Sequence, residues 1–428
     1  MYNNRQDHPA YFRFLMKENP PMSKFRLAHL GLVMAAIGFT AAAPIAGFSS
    51  VAYAAETVRA EIGKPLQEAQ KLAAAGKNKE ALAKLKETDA VGGKTANETY
   101  LIERTRASAA VAAGDNDAAA KAFESVLNSG KLSPAESPKF AEALAGIYYR
   151  AKDYPKAINA FQRVLKENPG NTQAQEYIVQ IYYTSGKYAE AAKELQNAKS
   201  LNENQLGMLA NIQLKQNDKA GYVQTLEKMA ASYPKAQTWA DLLQRVQTKP
   251  GFSSTLSLDL LRLRLQLGLL SKPNEYMEMS QLALQAGNPA EAIKIIDQGY
   301  KKGALGTGSD AARHQRLKDL AAKTQTEFDA KQAAAEAEAV KAKDADALAN
   351  MGYALVSSGK ADKGLALIDQ AIKLGTAKNP DAVKLHQGLA QNIAGKKAAA
   401  LATLKSVKGT DGTGDLARYW VMNINRPL

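Results

Sequence analysis

The stretch Ala141-Glu-Ala-Leu-Ala-Gly-Ile-Tyr148-Tyr149-Arg150-Ala-Lys-Asp-Tyr154-Pro-Lys-Ala157-Ile-Asn-Ala-Phe161-Gln-Arg-Val164, closed by Asn168-Pro169, is matched by the sequence that follows it. Without a gap, 34 residues further on, stand Tyr182-Tyr183, Gly186-Lys-Tyr188, Ala191, Leu195 and Ala198. Self-similarity at a fixed period marks repeat architectures and decides the fold before any local reading.

A reduced pattern carries the repeat outward: a glycine, five residues later a small residue, and four later a large apolar one. It reads Gly76-Ala81-Leu85, Gly114-Ala119-Phe123, Gly186-Ala191-Leu195, Gly287-Ala292-Ile296, Gly359-Gly364-Ile368 and Gly395-Ala400-Leu404. Lys152-Ala157-Phe161 departs at its first member, and Asn217-Tyr222-Leu226 at two. The first member accepts the positive φ that ends a helix. The small residue lets two helix backbones approach, and the large one fills the gap between successive units.

In period and in spaced residues the chain resembles the tetratricopeptide repeat family. The resemblance implies an all-α fold, a right-handed superhelical solenoid of antiparallel helix pairs in which each unit contacts mainly its neighbours. Tyr148 and Tyr182 match the family's large position on the first helix, and Ala157 and Ala191 the small position on the second. Phe161 and Leu195 match the inter-unit filler, Gly186 the turn, and Pro169 the proline that ends a unit.

Two intervals between small positions, of 70 and 72 residues, are twice the unit, so each predicts a degenerate helix pair. The first holds Trp239–Val246 and the leucine-rich run Leu256–Leu270. That run alternates like a strand, but leucine in place of Val or Ile, with no partner strand nearby, favours a helix buried on two faces. The second spans 311–344 and is rich in Ala, Glu, Lys and Gln. The predicted organisation is an N-terminal array over 55–235, degenerate units over 236–308 and a helical spacer over 309–345. A C-terminal repeat pair with a capping helix then fills 346–428, with Tyr419 and Trp420 covering its open end.

Ahead of the repeats, Lys24 and Arg26 precede the apolar run Leu27–Ile37, which continues with small residues to Ala52-Tyr53-Ala54. A basic n-region, an apolar h-region and an A-x-A site predict a secretory signal over 1–54, cleaved after Ala54, with Met22 a natural start. The run is also long enough for an uncleaved anchor. The expectation is a soluble, exported protein, periplasmic in a Gram-negative cell. Cleavage leaves 374 residues carrying about +11 of the formal +14.

The chain has no cysteine. This excludes disulfides, thiol catalysis, Cys-ligated zinc and the acylated cysteine of a lipoprotein. Past the signal only His314 and His386 remain: His386 reads as a packing or surface residue of a repeat helix, His314 as a solvated one. Neither a Ser-His-Asp set nor H-E-x-x-H spacing occurs, so no catalytic residue, metal or cofactor is expected. The loop Gly303–Gly308 lacks phosphate-loop spacing and reads as a helix stop, with Ser309 or Asp310 capping the next helix. The loop 408–415 lacks the acidic ladder of a calcium site.

Binding remains. The resemblance implies an inner groove lined by the first helix of each unit, which places Arg104, Ser108, Glu142, Tyr149, Arg150, Gln180, Tyr183, Asn211 and Lys215 there. Flat tyrosines with guanidinium and amide groups suit peptide recognition. The opposing reading is that Tyr149 and Tyr183 only pack the neighbouring unit. A denser basic set, Lys301, Lys302, Arg313, Arg316, Lys318, Lys396 and Lys397, suits anionic glycan or lipid headgroups, since export argues against nucleic acid. The reading is thus a non-enzymatic scaffold for other proteins, in envelope assembly, secretion or polysaccharide export. A glycan or lipid binder is the alternative, and a carboxylate hydrolase a remoter one.

Overall fold

The computed structural model describes residues 58–198 and 200–428. The signal segment and its cleavage site lie outside them. Among the described residues there are twenty α-helices and no strand. They fall into two compact units, the first ending at Asp218 and the second spanning Lys219–Leu428.

The first unit contains α1 (Ala60–Ala74), α2 (Asn78–Leu85), α3 (Ala96–Ala113), α4 (Asn116–Asn128) and α5 (Ser137–Arg150). It continues with α6 (Tyr154–Glu167), α7 (Thr172–Thr184), α8 (Tyr188–Gln196) and α9 (Glu203–Lys215). From α1 to α8 the helices pack in consecutive pairs, and each pair packs on the next. Several starts are set by short polar side chains that bond the exposed amides of the first turn. Asp115, Asp153 and Asn171 cap α4, α6 and α7 in this way, and Thr95 with Glu98 forms a capping box on α3.

The reduced pattern is realised at every copy. Its first member has positive φ at each site, including Lys152 (61°) and Asn217 (57°), where a side chain must tolerate the left-handed region. The small residues Ala81, Ala119, Ala157 and Ala191 are 0–1% exposed. The fillers Leu85, Phe123, Phe161 and Leu195 are buried just as fully. Phe123 meets Phe140 of the next pair at 5.3 Å between ring centroids, and Phe161 stacks on Tyr177 at 4.9 Å. Burial of each such side chain stabilises by about 1.5–3 kcal/mol, which is what joins one pair to the next.

The second unit contains α10 (Lys219–Ser232), α11 (Ala236–Gln247), α12 (Ser257–Gln266), α13 (Pro273–Gln285), α14 (Pro289–Lys301) and α15 (Ala311–Ala342). There follow α16 (Ala345–Ser357), α17 (Ala361–Leu374), α18 (Pro380–Ile393), α19 (Lys397–Ser406) and α20 (Thr413–Asn425). The expected boundary at 235/236 falls between α10 and α11, which pack on each other. Tyr222 explains why: at a position reserved for a small residue, it donates to Asp241 of α11 at 2.5 Å and lies 4.2 Å beneath Arg245.

The leucine run is helical over Ser257–Gln266, as α12, which buries Leu258, Leu260, Leu261 and Leu263, while Leu267–Leu270 form the turn that follows. The spacer is one helix of 32 residues with a sparse buried stripe of His314, Leu317 and Ala321 near its start. In α16 and α17 the crossing is closest: a Cβ on Gly352 would stand 2.6 Å from the Gly364 carbonyl oxygen.

One feature of this unit departs from neighbour-only contacts. Its last helix returns to its first ones. Arg418 pairs with Glu227 at 2.7 Å, Tyr419 packs edge-on against Trp239 at 6.2 Å, and Lys249 reaches Asp415 at 2.8 Å. The Ser253 amide donates to the Asp411 carbonyl at 2.8 Å. α20 thus packs on α18 and α19, the last repeat pair, and through Tyr419, Arg418 and Asp415 also closes the second unit upon α10, α11 and the segment that leads into α12.

Candidate functional site

The first-helix face of the first unit is built by α3, α5, α7 and α9. Side chains here couple each first helix to the next. Arg104 of α3 donates to Glu136 at the start of α5 at 2.8 Å and also bonds Tyr100. Glu142 of α5 accepts from Asn171, the cap of α7, at 2.5 Å. Glu176 of α7 accepts from Asn202, the cap of α9, at 3.2 Å. Two of the nine expected groove residues, Arg104 and Glu142, are thus engaged in fastening repeats.

The others form a tyrosine-rich strip. The Tyr149 ring lies 5.9 Å from Tyr154 and 6.4 Å from Tyr177 of the next repeat. The Tyr183 hydroxyl donates to Asn211 at 2.8 Å, while Lys215 sits 5.3 Å over Tyr188 and 6.0 Å from Tyr183. Burial pushes the phenol pKa values of Tyr149, Tyr177 and Tyr183 up, so they remain neutral. Tyr149 and Tyr183 each pack a neighbour, and each is half-buried.

Arg150 ends α5 beside Tyr149 with its surface exposed and, among the described residues, no ion pair. Partial desolvation lowers its pKa, and no acidic neighbour offsets this. A guanidinium left in that state is complementary to an incoming carboxylate or carbonyl. Ser108 and Gln180 are half-buried, their side chains without a hydrogen-bond partner among the described residues.

The basic set does not form one patch by contact. Lys301, Lys302, Arg313, Arg316 and Lys318 belong to the end of α14 and the start of α15. Lys396 and Lys397 open α19, whose main neighbours are α18 and α20. Lys318 is paired with Asp297 at 2.9 Å and Lys396 with Asp362 at 3.3 Å. Lys301, Lys302, Arg313, Arg316 and Lys397 are exposed.

Two expectations are corrected. His314 is not solvated but 3% exposed, and its Nδ1 accepts the Gly306 amide at 3.1 Å, pinning the glycine loop to α15. Asp310 stands at the helix start yet makes no side-chain cap; the Arg313 and His314 amides bond its backbone carbonyl instead. In the 408–415 loop, Asp411 accepts from Asn379 at 2.9 Å and from the Thr413 amide, which makes it a structural hub.

The sequence reading missed a buried charge network in the second unit. Arg262 of α12 grips Glu291 of α14 in a bidentate pair at 2.6 and 2.7 Å and reaches Asp259 at 2.7 Å. His386 of α18 meets the same Asp259 at 3.0 Å, and the Tyr353 ring lies 4.3 Å below the guanidinium. Burial alone would raise the Asp259 carboxyl; the facing His386 and Arg262 override it and hold it at about 2. Arg262 and Asp259 on one leucine-rich helix, three residues apart, were the only local sign of this network.

Residues 104–171 and 148–206 each match a family model described as tetratricopeptide repeat. Among solved structures, a tetratricopeptide repeat protein from Parabacteroides merdae matches at 13% identity and a TM-score of 0.28, over 78% of this chain and 99% of that one. The TPR2AB domain of yeast Sti1, in complex with pHSP90, matches at 12% identity and a TM-score of 0.23, over 68% of this chain and 98% of that one. No curated protein matches the chain.

Proposed function

Since residues 104–206 are tetratricopeptide repeats, we propose that the chain is a protein-binding scaffold whose first unit takes an extended peptide segment along the first-helix face. The observation that carries this reading is the strip of half-exposed tyrosines on α5 and α7, flanked by the unpaired Arg150 and by Lys215. Tyrosine offers large contact area with few rotors to immobilise, and arginine adds a directional donor; both types dominate binding hot spots. Arg104 and Glu142 serve the surface by fixing the helices that display it.

The scaffold acts in this reading outside the cytoplasm, in envelope assembly, secretion or polysaccharide export. The basic n-region, apolar run and A-x-A site ahead of the repeats support that part. N-terminal sequencing of the mature protein from fractionated cells tests it: a start at Ala55 supports export, and an intact N-terminus in the cytoplasm overturns it.

The binding reading is tested by recovering partners from the exported fraction with the wild-type chain and with Tyr149→Ala/Tyr183→Ala. Each tyrosine is expected to be worth about 2 kcal/mol, so recovery of the specific partners falls at least tenfold. Unchanged recovery by a folded variant overturns the groove. Binding of an anionic glycan or lipid through Lys301, Lys302, Arg313 and Arg316 would instead be abolished by high salt and be indifferent to the tyrosines.

A further inference from the structure

The second unit contains an open cleft of about 400 Å³, within the range of small-molecule sites. Six helices contribute to it, and its apolar wall includes Leu265, Leu389 and Ile393. Ile393 is 50% exposed, one of only four large apolar side chains left that open among the described residues. The ionic residues on its wall are Arg262, Glu291 and Lys294. Arg262 is shared between Glu291 and Asp259, which leaves Lys294 as the cation on the wall that pairs with no carboxylate among the described residues.

Lys294 is held in place. Its Nζ donates to the Ser357 carbonyl at 2.6 Å, and the Ser357 hydroxyl is bonded by Asn288, which also bonds Glu291. One of its three N–H groups is engaged in that bond, leaving two as donors. Trp420, 6% exposed, also lines the cleft, and its indole Nε1–H is buried without a hydrogen-bond partner among the described residues.

An ammonium with two N–H groups to spare beside apolar side chains selects a particular chemistry. We infer that this cleft binds a small amphipathic carboxylate, its head on Lys294 and an unbranched apolar tail along Leu265, Leu389 and Ile393. A tail of about eight to ten carbons suits a cleft of this size. The site lies within the second unit and does not depend on the peptide-binding reading of the first.

Decanoate below its micellar concentration is the probe, titrated into the full chain by calorimetry. The expected result is saturable binding at one site per chain, weakened at least tenfold by Lys294→Met and at least tenfold by Ile393→Asp. Ile393 is half exposed, so that variant keeps the fold intact, and circular dichroism checks both. Decanol and decylamine are expected to bind at least tenfold more weakly than decanoate. Non-saturable heats, binding unaffected by both substitutions, or decylamine binding as tightly as decanoate would each overturn the assignment.

Discussion

At the residue scale, backbone conformation and charge make separate demands. Lys152 occupies a left-handed position that glycine fills in most other copies, at a penalty of roughly 1–2 kcal/mol for an L-residue. Lys152→Gly is therefore expected to stabilise the first unit by about 1 kcal/mol in urea unfolding. Gly364 is the opposite case: a Cβ there would collide with the Gly352 carbonyl, so Gly364→Ala is expected to destabilise by about 2 kcal/mol or more. Asp259 sets a pH dependence. Its folded pKa of about 2 lies below the roughly 3.9 of an unfolded aspartate. Its contribution is present above the unfolded value and is lost as pH falls through the folded one. Acid should thus weaken the second unit between about pH 4 and pH 2. Both tryptophans, Trp239 and Trp420, lie in that unit, so their emission reports on it alone. Asp259→Asn should flatten this acid limb while lowering stability at neutral pH by about 3 kcal/mol, the scale of breaking a buried pair.

At the scale of elements, the repeat pattern was legible because its causes are local. A turn needing positive φ, a crossing needing a small side chain and a gap needing a large one fall within ten residues of each other. The same logic failed where an element serves a distant one. Tyr222 looks like a defective repeat residue until Asp241 and Arg245 are seen around it. Helix α20 reads as an end cap of α18 and α19, which it packs on, but its second role, closing upon α10, α11 and α12, has no sign in the sequence. Tyr419→Ala, which removes the Trp239 contact and the Glu227 hydrogen bond, should destabilise the second unit by about 3–5 kcal/mol. Tryptophan emission during denaturation measures that loss, and a shift under 1 kcal/mol would show that the closure by α20 is energetically idle.

At the scale of the whole molecule, the two units differ in how their contacts are distributed along the chain. Contacts in the first unit join neighbouring helix pairs, whereas the second joins Glu227 to Arg418 and Asp259 to His386, 191 and 127 residues apart. Long loops must close before such contacts are made, so the second unit should refold more slowly than the first. Pulse-labelling hydrogen exchange during refolding is expected to protect α3–α8 before α12 and α18.

The sequence by itself determined the helical pairs, their period and their turns, because each rests on chemistry that repeats every thirty-odd residues. It also placed the tyrosines on first helices. Only the tertiary structure decided which of those side chains fasten repeats and which remain at the surface. It alone decided that the second unit closes on itself around Arg262, Glu291 and Asp259. The physical reason is that a buried ion pair between helices leaves no periodic trace: each partner reads locally as one more charge on a solvated face.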